Sequence, residues 1–142
     1  MVERSLAHAS KHVFPRTVRF ADIDSQGHVN NVRFLDYLED ARFGMLAIDV
    51  HKEGGETFSG LVVARHEIDY LRPLSFRADP VLVETWVTEI RPVRFTLDYE
   101  IRDEDEVYVR ARSVIVAYDV ENAAPRRLRQ DELAYLRRFT TP

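Results

Sequence analysis

The 142-residue chain contains no cysteine. Disulfides, thiolate metal sites and a cysteine nucleophile are therefore excluded, and the composition fits a cytoplasmic protein. No apolar run approaches the ~18 residues that a membrane-spanning helix needs. The opening stretch, MVERSLAHASKHVF, lacks the basic-then-apolar pattern of a secretory signal. Glycine is scarce, five in all, and there is no Gly-x-Ser-x-Gly elbow, Walker loop or Rossmann glycine fingerprint. The five histidines (His8, His12, His28, His51, His66) show no zinc-type spacing. The net charge of −4 argues against a strongly basic nucleic-acid binder.

What is present reads as one globular domain spanning residues 1–142. Hydrophobic residues make up 45% and charged residues 31%, and no repeat, low-complexity tract or Gly/Ser linker divides the chain. The charged runs RDEDE (Arg102 to Glu106) and RRLR (Arg126 to Arg129) read as a solvated turn and a surface segment.

The hydrophobic period changes once along the chain. A first strand is expected from Val13 to Ala21. Phe34, Leu38, Ala41, Met45 and Ile48 then recur at steps of three and four, which is one face of a helix. Asn30 or Asn31 would cap its start, and EGGE (Glu53 to Glu56) ends it. From Gly60 onward the period is two. Strands are expected at Leu61 to Leu71, Pro80 to Ile90, Val93 to Arg102 and Glu106 to Asp119, the last apolar on both faces near its end and so central. Short links between the last strands make them antiparallel neighbours. A short helix is expected from Arg129 to Phe139. This is an α+β order: strand, long helix, four long antiparallel strands and a short C-terminal helix. One helix cannot cover both faces of such a sheet. The second face is either wet or covered by another subunit, and Val114 and Val116 favour a subunit.

Between the first strand and the long helix lies DIDSQGHVNN, Asp22 to Asn31. It concentrates two aspartates, a glycine, a histidine and two asparagines at a strand-to-helix junction. The stretch FADIDSQGHVNNVRFLDYLEDAR resembles the signature of acyl-CoA thioesterases of the 4-hydroxybenzoyl-CoA thioesterase-like family, which have the hotdog fold. VVARHEIDYLRPL resembles that family's second strand, so the resemblance spans roughly Val13 to Asp119. Phe34 stands where tyrosine is common, and Arg91-Pro92 replaces a glycine-containing hairpin. The resemblance implies a long central helix wrapped by a five- to six-stranded antiparallel sheet, and hydrolysis of an acyl thioester to free acid and CoA.

That chemistry needs a carboxylate at the thioester carbonyl, to attack it or to activate water, and donors where the oxyanion develops. A helix start beside the carboxylate offers free N–H groups and a positive dipole end. Asp24 matches the family's catalytic aspartate, as nucleophile or general base; Asp22, two residues earlier, is its rival. Gly27 would let the backbone pass close to the thioester with an N–H aimed at its oxygen. His28 would bond Asp24, orient water or pack in the loop, and Asn30 would cap the helix or take part directly. Glu39 could pair with Arg42. By the same resemblance Val29, Phe34, Arg65 and His66 would line the substrate, although an ordinary cross-strand ion pair is the preferred reading of the strand residues Arg65 and His66, and Phe34 reads as core. Phe58, in a glycine-flanked loop, is the best candidate for a pocket wall. Arginines around Arg126 would meet the CoA phosphates. No metal or other cofactor is needed. The expected partners are acyl-CoA and further copies of the chain, as a homodimer or homotetramer with an interfacial active site. An acyl carrier protein is the alternative substrate carrier, and no nucleic acid or membrane is expected. A non-catalytic acyl-CoA-binding module is the alternative function.

Overall fold

The computed structural model describes residues 10–140 of the chain. His8 and most of the N-terminal stretch assessed above for a secretory pattern lie outside the described residues. Strand β1 (His12–Arg16) is followed by a 3-10 turn (Phe20–Asp22) and the polar loop. Helix α1 (Asn31–Phe43) continues through a π turn (Gly44–Ile48) into a last α turn (Asp49–Lys52). Strands β2 (Leu61–Tyr70), β3 (Val81–Ile90), β4 (Arg94–Arg102) and β5 (Val107–Asp119) come next. A two-residue strand β6 (Ala124–Pro125) and helix α2 (Gln130–Arg137) complete the chain. All strand pairs are antiparallel in the order β1-β3-β4-β5-β2, with β6 beside β5. This is the expected α+β architecture, with β5 interior as its two apolar faces predicted.

One strand end and one helix face differ most from the sequence reading. The first strand stops at Arg16 rather than Ala21. Its last partner is Val81, the first residue of β3 after Pro80, so the chain beyond has no strand to pair with and turns over Arg19–Asp22 instead. The helix starts where expected, with the Asn30 side chain accepting from the Val32 N–H at 2.9 Å. Its inward face slips after Ala41, however. The π turn inserts an extra residue per turn, so Met45 stays fully buried while Ile48 is 40% exposed.

The core lies between the helix and the concave face of the sheet. Phe34, Tyr37, Leu38, Ala41 and Met45 from α1 pack with Phe95, Leu97, Tyr99, Ile101, Val109 and Ile115 from β4 and β5. Burying one such large side chain contributes about 2 kcal/mol. Helix α2 closes one end of the core: the Tyr135 hydroxyl donates to the Met45 carbonyl oxygen at 2.5 Å, within the π turn. Burial pushes the Tyr135 phenol up to about 12.

The convex face of the sheet is polar. Arg110 pairs with Glu100 at 2.9 Å and Arg112 with Asp98 at 2.8 Å across β4 and β5. Val114 and Val116 are half-buried on this face. Ion pairs thus occupy the centre of this face, while Val62, 43% exposed, lies beside Val116 at its β2 edge. Edge strand β2 has no neighbour on one side among the described residues, and eight of its ten residues are exposed. Beside it on α1, Val32 (58%) and Phe43 (62%) are bare.

Candidate active site at the start of the helix

The loop between the 3-10 turn and α1 separates its two aspartates by burial. Asp22 is 1% exposed. Its carboxylate accepts from the Arg19 N–H at 3.0 Å, the Arg19 guanidinium at 3.1 Å and the Tyr37 hydroxyl at 2.9 Å. Burial alone would push this carboxyl up, but the three donors and the Arg19 charge together hold it below the usual value. The same contact and burial push the Tyr37 phenol well above its usual range. Asp22 is thus a structural hub that ties the loop floor to the second turn of α1.

Asp24 has a different environment. It is half-exposed, and among the described residues its Oδ1 accepts only the Gln26 N–H, at 2.8 Å. Its backbone is fixed on both sides: its N–H donates to the His28 carbonyl oxygen at 2.9 Å and its own carbonyl oxygen accepts from the Gly27 N–H at 3.0 Å. Gly27 adopts φ 82°, the left-handed conformation this tight turn requires. The expectation that the Gly27 N–H points at a substrate oxygen is corrected here, because that N–H closes the turn. His28 pairs by its backbone with Ser75, and its imidazole makes no hydrogen bond among the described residues, so it does not hold Asp24. Asn30 caps the helix, and its N–H donates to the Asp22 carbonyl oxygen at 2.9 Å. Val32 and Arg33 donate to Asn30. The N–H of Asn31, first in the helix, has no acceptor among the described residues and stands at the positive end of the dipole.

The remaining candidates disperse. Val29 (3% exposed) and Phe34 (2%) are core residues, Phe34 packed edge-on against Tyr37 and tilted over Tyr70. Arg65 lies on the convex face, ion-paired with Glu67 at 2.7 Å. His66 lies on the concave face and meets Ser113 Oγ at 2.7 Å. Phe58 is buried edge-on against Phe95 and Tyr135, yet it forms one wall of a cavity of about 300 Å³ between α1 and the start of β2. Phe43, Leu46, Val63 and Ile115 supply other walls, with Arg42 and Glu39 among them. Arg126 is corrected as a phosphate ligand: both its Nη atoms are held by the buried Glu132, at 2.8 and 2.9 Å. Arg42 is the residue that sequence reasoning missed at the cavity. The signal was its place on the stripe Glu39, Arg42, Phe43, Leu46, at helical steps of three and four. No cluster of three or more metal-ligating side chains occurs among the described residues, and no helix among them is long and apolar enough to cross a membrane.

A sequence model of the thioesterase-like superfamily matches residues 18–136. The chain belongs to this superfamily. Among curated protein sequences none matches. The fold is similar to that of a thioesterase from Thermus thermophilus solved with coenzyme A and Zn. That structure is 30% identical, with 92% of this chain and 95% of the other covered at a TM-score of 0.72. It is also similar to a predicted thioesterase from Bacillus stearothermophilus (24% identity, 92% and 97% covered, TM-score 0.79). A third similar structure is a 1,4-dihydroxy-2-naphthoyl-CoA thioesterase from Synechocystis (23%, 93% and 99%, TM-score 0.74). The architecture is the hotdog fold of these thioesterases, and the protein is a thioester hydrolase.

Proposed function

We propose that the protein hydrolyses acyl-CoA thioesters at the loop preceding α1, with the Asp24 carboxylate as the reacting group. The observation that carries this reading is the contrast between the two aspartates: Asp22 is spent on structure, whereas Asp24 has a carboxylate oxygen with no partner among the described residues, in a rigid turn just before the helix start. Asp24 either attacks the thioester carbonyl, expelling CoA thiolate and leaving a mixed anhydride for water to cleave, or takes a proton from the water that attacks. In both routes the carbonyl oxygen gains negative charge, which the Asn31 N–H and the helix dipole stabilise. His28, near the turn with a free imidazole, is suited to orient that water. Gly27 and Asn30 act indirectly, by fixing the turn and the helix start.

The bare edge of β2 and the exposed apolar side chains of α1 support a homodimer, or a homotetramer built from it, with the active site at the interface. The coenzyme A held by the Thermus structure supports CoA as the carrier; an acyl carrier protein is the alternative, and a non-catalytic binding role a further one. A cytoplasmic place in acyl or lipid metabolism is part of this reading. The test is thiol release from aliphatic and aromatic acyl-CoAs by wild type and Asp24→Asn. Asn keeps the bond to the Gln26 N–H, so the variant should fold normally while kcat falls by about 10³. An Asp24→Asn enzyme with wild-type turnover would refute the assignment.

A further inference from the structure

The cavity between α1 and β2 contains one feature that an apolar acyl pocket does not require. Arg42, half-buried in its wall, has no carboxylate within ion-pairing distance among the described residues. Other arginines packed on or against the same helix do have one: Arg33 meets Asp36 and Arg16 meets Asp40, each at 2.8 Å. Glu39, one turn before Arg42 on the same wall, is exposed and unpaired with it. The only side-chain hydrogen bond Arg42 makes among the described residues runs from its Nη1 to the Tyr99 hydroxyl oxygen at 3.2 Å. Tyr99 in turn contacts Ser113, which meets His66 Nδ1 at 2.7 Å. A polar strip therefore crosses the concave face from the helix to the edge strand, through β4 and β5, beside walls made of Phe43, Leu46, Phe58, Val63 and Ile115.

Every polar group in this strip is a donor or is already engaged. Burial, then the nearby Arg42 charge, lowers the His66 imidazole and favours its neutral form. Burial pushes the Tyr99 phenol up, so it stays protonated. The guanidinium has five N–H groups, and most of them lack an acceptor among the described residues. A guanidinium at an apolar wall is stabilised by an oxygen acceptor, most strongly by an anionic one. Its position suits the far end of an acyl group. Arg42 follows Asn31 by eleven residues, roughly 16 Å along the axis, and helical side chains lean back toward the N-terminus. The guanidinium thus lies closer to the reacting loop than that, within reach of a medium-length acyl chain or a fused aryl ring.

We propose that Arg42 makes this cavity selective for acyl groups whose far end carries a carboxylate. The proposal rests on the thioesterase reading above and specifies its substrate class. Two measurements test it. The first compares kcat/KM for octanoyl-CoA and its ω-carboxy counterpart, in wild type and Arg42→Met. The wild-type ratio of the ω-carboxy substrate to octanoyl-CoA should exceed about tenfold, one charge-assisted hydrogen bond, and should fall below one in Arg42→Met. A wild-type ratio at or below one overturns the proposal, as does an equal loss on both substrates in the variant. Conversion of the variant to a smaller species on size exclusion also overturns it, since Arg42 would then be answering to a second copy of the chain. The second measurement needs no turnover: stabilisation by free octanedioate against octanoate in a thermal melt. Octanedioate should stabilise wild type more, and Arg42→Met should erase the difference. If no thioester is cleaved but this difference appears, the pocket assignment stands and the hydrolase reading fails. Equal stabilisation by both acids sinks the pocket assignment alone.

Discussion

The Tyr37 hydroxyl donates to the Asp22 carboxylate at 2.9 Å, linking the second turn of α1 to the floor of the loop that carries Asp24. Arg16 stacks over the same tyrosine ring at 4.3 Å, so strand, loop and helix meet at one polar point inside the core. Removing a partner leaves buried groups unsatisfied, which is the expensive way to lose a hydrogen bond. Tyr37→Phe should destabilise the fold by about 1–2 kcal/mol, and Asp22→Ala by about 3 kcal/mol or more, because the Tyr37 hydroxyl and the Arg19 N–H both lose their acceptor. Asp24→Ala, which removes only one turn contact, should cost under about 1 kcal/mol. Urea unfolding of the three variants would reveal the order; equal losses at Asp22 and Asp24 would contradict the separation of their roles.

The same hub sets an acid limit. The Asp22 carboxyl sits below its ordinary 3.8 in the folded protein. As pH falls, the unfolded chain therefore takes up this proton before the folded one does. The stability contributed by ionised Asp22 is complete above the ordinary value and is lost as pH drops from there through the folded value. Other depressed carboxyls, such as Asp103, contribute their own losses, so the informative quantity is a difference. Wild type minus Asp22→Asn, followed by urea midpoint from neutral pH to about 3, should shrink through the acid range. A constant difference would show that Asp22 does not titrate differently on folding.

How much of this was legible beforehand depends on what alternation and spacing encode. The order of elements along the chain, the central place of β5 and an asparagine cap follow from periodicity and residue type, and all are present; the order of strands within the sheet, with β2 beside β5, does not. The two aspartates carry identical side chains two residues apart, and nothing local tells them apart. Only the family resemblance favoured Asp24, because the burial of Asp22 depends on Tyr37 and Arg19 arriving from either side. Ile48 was misplaced because a period of 3.6 cannot register a π turn. That turn is where Gly44 lies against Phe14, close enough that a Cβ would come within 2.8 Å of its ring. Arg126 looked like a free basic residue until Glu132, six residues on, proved to be buried beneath it. Arg42 was read as the partner of Glu39 because i,i+3 pairs are common on helices; the cavity between them and β2 is a tertiary fact.

Two glycines with positive φ should respond differently to alanine. At Gly27 (φ +82°) an added Cβ meets nothing within 4 Å, so only backbone strain is introduced, about 1 kcal/mol. At Gly60 (φ +63°) the Cβ would fall 2.0 Å from the Tyr118 carbonyl oxygen. That backbone cannot retreat easily, because the Tyr118 N–H donates to the Gly60 carbonyl oxygen at 2.5 Å. Gly60→Ala should therefore lose at least about 3 kcal/mol and loosen the start of β2. Thermal melts decide the comparison. Gly27→Ala, with a shifted Asp24 turn, should instead show its main effect in kcat.

Edge strand β2 supports the last expectation, since a ten-residue strand open on one side pairs readily with another copy of itself. Its bare apolar residues, Val62 (43% exposed) and Val63 (40%), lie near Phe43 (62%) across the cavity mouth. Val62 stands next to Val116 on the convex face, whose centre is occupied by the Arg110–Glu100 and Arg112–Asp98 ion pairs. A lysine on an edge strand opposes edge-to-edge pairing, and a carboxylate on the helix opposes apolar packing. Val62→Lys and Phe43→Glu, both at solvent-exposed positions of the single chain, should leave each protomer folded while weakening self-association by at least about 100-fold. Sedimentation velocity over a dilution series measures that shift, and circular dichroism checks the fold. If the site is completed by the second copy, thiol release should fall along the same dilution curve as the oligomer dissociates. Full activity in a dissociated, folded protomer would instead place the whole catalytic apparatus within one chain.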